Sequence, residues 1–254
     1  LVGHLPVREK LTMQKGKFIR YSRVALLFFL KSGRKAFIRA LFFRCLLIDK
    51  TKPILMKKLT SLAALFILLT AFRHQGYHVG EIADDFQLKN INGQMVSMAH
   101  YPEAKGFIVI FTCNHCPFSK KYEDRINALH KKYEKKGYPV IAINPNDAAQ
   151  YPEDNFENMV KRAKEKKFAF PYLHDETQSV ATLYGATKTP DVFVLQKENK
   201  DLIVKYTGAI DDNADDAKAV REKYVEQAVD ELLAGRPVSL SFTKAIGCSI
   251  KWKK

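Results

Sequence analysis

Two cysteines three residues apart, Cys113 and Cys116 in FTCNHCPF, are the residues of this chain whose type and spacing most directly suggest chemistry. A second thiol one helical turn from a first can capture a mixed disulfide, or a sulfenic acid, formed on it. The apolar run FIVIF at 107–111 precedes the pair and a helix-periodic segment follows it. That puts the pair at a strand-to-helix junction. First-turn N–H groups and the helix dipole stabilise a thiolate there, and thiolate is the reactive form. With Cys113 nearer the strand, the residues make it the expected nucleophile and Cys116 the resolving thiol. Two other readings use the same atoms. A pair of buried apolar cysteines would be inert, and Cys113, Cys116 and a histidine would bind copper or zinc, although no second C-x-x-C completes a tetrahedral site.

The elements needed to hold such a site are legible on both sides. FIVIF reads as a strand buried on both faces. Phe118, Tyr122, Ile126, Leu129 and Tyr133 recur every three or four residues, predicting a helix over 116–135 stopped by Gly137. PVIAIN at 139–144 completes a strand–helix–strand unit, expected to cross over right-handed between parallel strands. Upstream, 86–98 reads as a hairpin turning at Asn92-Gly93. Downstream come a helix over 155–167, a strand at 172–174, a short helix over 178–184 ended by Gly185, and a hairpin from Asp191 turning near Asn199. A last helix is predicted over 214–234, capped by Asp212 or Asn213, with Ala217, Val220, Tyr224, Ala228 and Leu232 as its apolar stripe. The predicted class is α/β, with a mixed central sheet flanked by helices and an amino-terminal hairpin extension.

The chain has 254 residues and a formal charge of +15. Residues 1–55 hold thirteen Lys and Arg against two acids, whereas 76–254 hold 26 basic and 25 acidic residues. The candidate domain is therefore electrically balanced, which removes the argument for a nucleic-acid partner. MKKLTSLAALFILLTAF, from Met56, has the pattern of a secretory signal peptide, with an uncleaved anchor as the alternative; its 14-residue run from Leu59 to Phe72 is short for a membrane span. The expected division is a leader at 1–55, either an upstream over-extension or a basic amphipathic segment on anionic lipid, then a signal segment at 56–75 and a domain at 76–254. Export, with transient membrane contact through that segment, is the corresponding expectation.

FTCNHCPF, AINPNDAAQYPEDNFENM, PYLHDETQSVATLYGATKTPDVFV and the terminal GCSIKW together resemble the thioredoxin superfamily, and more narrowly its peroxiredoxin-like (AhpC/TSA, redoxin) members, over roughly 80–252. The resemblance implies a thioredoxin-like fold and thiol–disulfide oxidoreductase activity on protein or small-molecule thiols and disulfides, with hydroperoxide reduction as the alternative and no cofactor. It also implies a cis Pro190, holding the Thr189 backbone open to pair with an extended substrate strand. Thioredoxin has Trp before its first cysteine and Gly-Pro between the two, where this chain has Thr112 and Asn114-His115; a protonated His115 would make the disulfide a stronger oxidant. Peroxiredoxins have a threonine three residues before a Cys-Pro. Here Thr112 stands four before Cys116-Pro117, and in a peroxidase reading Cys116 attacks and Cys113 is its partner. Cys248 remains as a candidate resolving thiol, or as a reduced cysteine packed beside Trp252.

Overall fold

The computed structural model describes residues 76–254. The leader at 1–55 and the signal segment at 56–75 lie outside the described residues. Within them, no helix is long and apolar enough to cross a membrane.

Among the described residues ten strands form, β1 (Ile82–Ala83), β2 (Leu88–Asn90), β3 (Met95–Val96), β4 (Gly106–Phe111), β5 (Val140–Asn144), β6 (Tyr172–His174), β7 (Lys188–Thr189), β8 (Asp191–Glu198), β9 (Asp201–Gly208) and β10 (Cys248–Ser249), with four α-helices, α1 (Pro117–Tyr133), α2 (Phe156–Lys166), α3 (Ser179–Tyr184) and α4 (Tyr224–Leu233). Eight strands make one mixed sheet in the order β1-β9-β8-β4-β5-β6-β2-β3, and β10 pairs with β7 in a second. β4 lies at the centre, parallel to β5 and antiparallel to β8. Every residue of β4 is buried. Its side chains alternate, Ile108 and Ile110 joining one core with Tyr122, Ile126, Met159 and Val229, and Phe107, Val109 and Phe111 joining another with Val180, Tyr184 and Ile250. Helices α1, α2 and α4 thus cover one face of the sheet and α3 the other. That is the predicted α/β architecture.

α1 runs where its periodicity predicts, and Gly137 ends the segment with φ +92°. Glu123 on its buried side accepts from both the Nε and Nη2 of Arg162 at 2.7 and 2.8 Å, tying α1 to α2. The hairpin β2–β3 forms on the outer edge against β6, but of its Asn92-Gly93 pair only Gly93 has positive φ. The turn is therefore wider than the two-residue type that Asn-Gly favours.

Two further readings differ from the structure. The last helix begins at Tyr224, with no side-chain cap at Lys223, and not at 214. Side chains in the acidic run bond the backbone instead: Asn213 Oδ1 accepts from Asp215 and Asp216, Asp216 Oδ1 from Lys218, and Asp212 Oδ1 from Arg221. These local bonds compete with helical ones. His130, a lone histidine that reads as solvated, is buried, and its Nδ1 accepts the Val140 N–H.

Candidate active site

The carboxyl end of β4 delivers Cys113, and Cys116 is the residue that caps α1, with Pro117 at the first helical position. Both thiols are free and both are buried, Cys113 at 3% exposure and Cys116 at 0%. Exposure therefore does not decide which sulfur reacts.

Both sulfurs converge on Thr189, which the cis peptide Thr189–Pro190 places beside them as predicted. Cys113 Sγ lies 3.3 Å from Thr189 Oγ1 and 3.8 Å from Ser119 Oγ. Cys116 Sγ donates to the Thr189 carbonyl at 3.2 Å. The two thiols share protons unequally. A bond from the Cys113 S–H lowers the Cys116 thiol to about 4, despite burial, and further bonds to Cys248 and the Ser119 N–H support the anion. The same bond, burial and the nearby Asp154 charge push Cys113 up. One contact opposes this order, because the Thr189 carbonyl favours a protonated Cys116. Several donors against that single acceptor, at a helix amino terminus, leave the negative charge on Cys116.

The loop between the cysteines is held by a residue that the sequence does not single out. Asp154 is fully buried, and its Oδ1 accepts from the N–H of Asn114 at 2.7 Å and of His115 at 3.2 Å. Its Oδ2 takes Asn146 Nδ2 at 2.8 Å and pairs with His115 Nδ1. His115 therefore directs Nδ1 at a carboxylate, with its ring stacked on Tyr151 at 5.1 Å, and is not simply a solvated helix-start residue. Asn114 is fixed as well, donating to the Glu153 carbonyl at 2.8 Å and accepting from Tyr172 Oη at 3.0 Å. A carboxylate in a polar stretch such as PNDAAQYPEDN reads as solvated, and only the packing of that loop onto 112–116 changes its role. Thr112 is buried, and its N–H extends the ladder to Ile143 at 2.8 Å.

Among the described residues one cluster has the composition of a metal site, Cys113, His115 and Asp154, whose ligand atoms lie within 4.8 Å of one another. It differs from the predicted ligand set, since Asp154 replaces Cys116. The Asp154 oxygens are already occupied by the bonds just described.

The Thr189 backbone is not open. The chain's own β10 pairs antiparallel with β7, with Cys248 opposite Thr189. The approach is close because Gly247 has no side chain: a Cβ there would stand 2.3 Å from the Thr189 carbonyl oxygen. The tail is anchored on both sides of β7, by the Ile250 N–H to Thr187 O at 3.1 Å and the Lys251 N–H to Asn146 Oδ1 at 2.9 Å. Trp252 is 42% exposed, and Cys248, half-buried, faces the Cys116 sulfur.

Asp191, directly after Pro190, is buried and accepts the Thr187 N–H at 3.2 Å. Burial raises its carboxyl to about 6, against backbone donors that pull it down. A carboxyl raised in the folded state stabilises below its unfolded value near 3.8, and that contribution is lost as pH rises through about 6. A rise from 3.8 to about 6 corresponds to about 3 kcal/mol. Urea unfolding of the wild type is therefore expected to show this fall between pH 4 and 7, and Asp191→Asn to flatten it; parallel profiles for the two proteins would refute the assignment.

The arrangement invites comparison with known proteins. Residues 79–207 match the AhpC/TSA family. The chain is similar to the crystal structure of an uncharacterized conserved protein from Geobacillus kaustophilus, at 41% identity and TM-score 0.65, covering 70% of this chain and 93% of that one. A hypothetical protein from Sinorhizobium meliloti 1021 is 34% identical, with TM-score 0.65 and coverage of 70% and 96%. Thiol-disulfide oxidoreductase ResA of Halalkalibacterium halodurans is 26% identical over 131 residues, 52% of this chain and 69% of that protein. Because the family match runs from Val79 to Thr207, through both cysteines and Pro190, the chain belongs to the AhpC/TSA family, and with it to the thioredoxin superfamily.

Proposed function

We propose that this protein is a thiol–disulfide oxidoreductase whose redox couple is Cys113–Cys116, with protein or small-molecule thiols and disulfides as substrates. The observation that carries the reading is the convergence of both sulfurs on Thr189 at 3.3 and 3.2 Å, at the amino terminus of α1. Cys116, as the thiolate, attacks a substrate sulfur: a new S–S bond forms and the substrate's other sulfur leaves and takes up a proton. Cys113, relieved of its proton, then attacks Cys116 and releases the second substrate thiol, leaving the protein oxidised and the substrate reduced. This reverses the order of attack that position along the chain suggests. It follows from where the charge settles. The similarity to ResA supports the same reaction class, and the signal-like segment from Met56 supports action outside the cytoplasm.

Lowering the Cys116 thiol to about 4 stabilises the reduced form, which makes the disulfide a better oxidant. Equilibration with glutathione buffers is expected to give a two-electron midpoint above thioredoxin's value of about −270 mV. A midpoint at or below that value removes the oxidant role, and absence of a Cys113–Cys116 disulfide in oxidised protein removes the function.

A second reading is favoured by one feature. Cys116-Pro117 with the thiolate at the helix cap is suited to attack on a hydroperoxide, and a site closed by β10 admits a small oxidant more readily than an extended polypeptide. Peroxide consumption that survives Cys113→Ser and is lost in Cys116→Ser would select it.

A further inference from the structure

The two sulfurs of the proposed couple are the least accessible thiols of the domain, and the strand covering them carries a third. Cys248 sits opposite Thr189 in the β7–β10 pairing, and Thr189 is the residue that both Cys113 and Cys116 touch. The Cys248 thiol also faces the Cys116 sulfur, lowering it and being raised by it in turn. It is half-buried, whereas Cys113 and Cys116 are shut in. The segment is fixed in this place: Gln178 Nε2 donates to the Lys251 carbonyl at 2.8 Å, the Asp147 N–H to the same carbonyl at 2.9 Å, and the Lys253 N–H to Gln178 Oε1 at 2.8 Å.

Resting on the reading of Cys113–Cys116 as a redox couple, we propose that Cys248 is a shuttle thiol that carries oxidising equivalents between the buried pair and thiols outside the domain. In the oxidised protein the Cys248 sulfur, having given up its proton, attacks Cys116. The Cys116–Cys248 bond forms as the Cys113–Cys116 bond breaks, and Cys113 leaves as a thiolate that takes up the released proton. The protein gains and loses no electrons in this step. An external thiol then attacks Cys248, forming a mixed disulfide while Cys116 leaves reduced. A second external thiol displaces Cys248, so that two thiols become one disulfide and the protein ends fully reduced. External disulfides are reduced by the reverse sequence.

Burial, and then the facing Cys116 sulfur, raise the Cys248 thiol to about 11, while Lys251 and Lys188 pull it down. Joining Cys116 to Cys113 removes the facing negative charge and leaves both lysines. Oxidation of the pair thus arms the shuttle.

The test uses the full chain. Trypsin places Cys113 and Cys116 together in peptide 106–120 and Cys248 in peptide 245–251. Cys113→Ser, oxidised with excess glutathione disulfide and digested without reduction, should yield these two peptides joined as the main product. Acid-quenched oxidised wild type, alkylated after denaturation, should contain a fraction alkylated at Cys113 and linked from Cys116 to Cys248, a measurement that needs no variant. In Cys248→Ser, reduction of the Cys113–Cys116 disulfide by glutathione should slow at least tenfold, while the unfolded proteins react equally fast. Failure of the two peptides to join, or a Cys248→Ser protein reduced as fast as wild type, overturns the shuttle and leaves the couple standing. If oxidised wild type and Cys248→Ser both lack a Cys113–Cys116 disulfide, the couple and the shuttle fall together.

Discussion

Cys116→Ser is expected to lower the single-turnover rate of attack on a small aromatic disulfide by about a thousandfold or more, because the nucleophile itself is removed. With Cys248 also replaced by serine, so that the tail thiol cannot take over the bond, Cys113→Ser should behave differently. Attack persists, release stops, and mixed disulfides accumulate on Cys116. The asymmetry follows from the shared proton: Cys113 donates to Cys116, which caps α1 and is further supported by the Ser119 N–H and Cys248. Cys113→Ala, which leaves no donor at that position, should raise the Cys116 thiol and move the pH at which attack is half-maximal upward from its wild-type value. Gel shifts after acid quenching distinguish the two variants. On the Cys248→Ser background, accumulation of mixed disulfides in Cys116→Ser, and none in Cys113→Ser, would assign first attack to Cys113 and reverse the mechanism.

The second large effect lies away from the sulfurs. Asp154→Ala should lower the free energy of unfolding by about 3–5 kcal/mol, measured by urea denaturation, because it strands several buried donors at once. The N–H groups of Asn114 and His115 lose their acceptor, and Asn146 Nδ2 loses its own. Asn146 cannot compensate by turning over, since its Oδ1 already receives the Lys251 N–H. Exchange should slow at least tenfold even where the variant is fully folded, because Asn114 and His115 are the residues between the two cysteines. Asp154→Asn keeps the volume and one acceptor, so it should recover part of the stability. A loss below about 1 kcal/mol in the alanine variant would show that water replaces the carboxylate, and the loop would then owe its shape to other contacts.

Some features were legible because they are local. FIVIF, the three-and-four spacing from Phe118 to Tyr133, and Gly137 are short-range patterns, and β4 and α1 form where they predict, with the cysteines at the junction. The helix predicted from 214 fails for an equally local reason that its apolar stripe concealed. Asp211 is drawn toward α1 by Tyr122 Oη at 2.7 Å and Arg125 Nη1 at 2.7 Å, and the neighbouring Asx bonds then hold the chain in turns until Tyr224.

The sequence by itself determined the kind of chemistry: two thiols one turn apart, at the end of a buried strand, with Thr189-Pro190 downstream and an electrically balanced domain around them. Tertiary structure decided which thiol carries the charge, what holds the loop, and what covers the site. Each of those depends on groups far apart along the chain, Cys116 with Thr189 across 73 residues, Asn114 with Asp154 across 40, and Lys251 with Asn146 across 105. A thiol's proton affinity is set by burial and by the donors that face it, and for Cys116 two of those donors, Cys113 and Ser119, are near neighbours in sequence while the third, Cys248, arrives only when the tail folds back along β7.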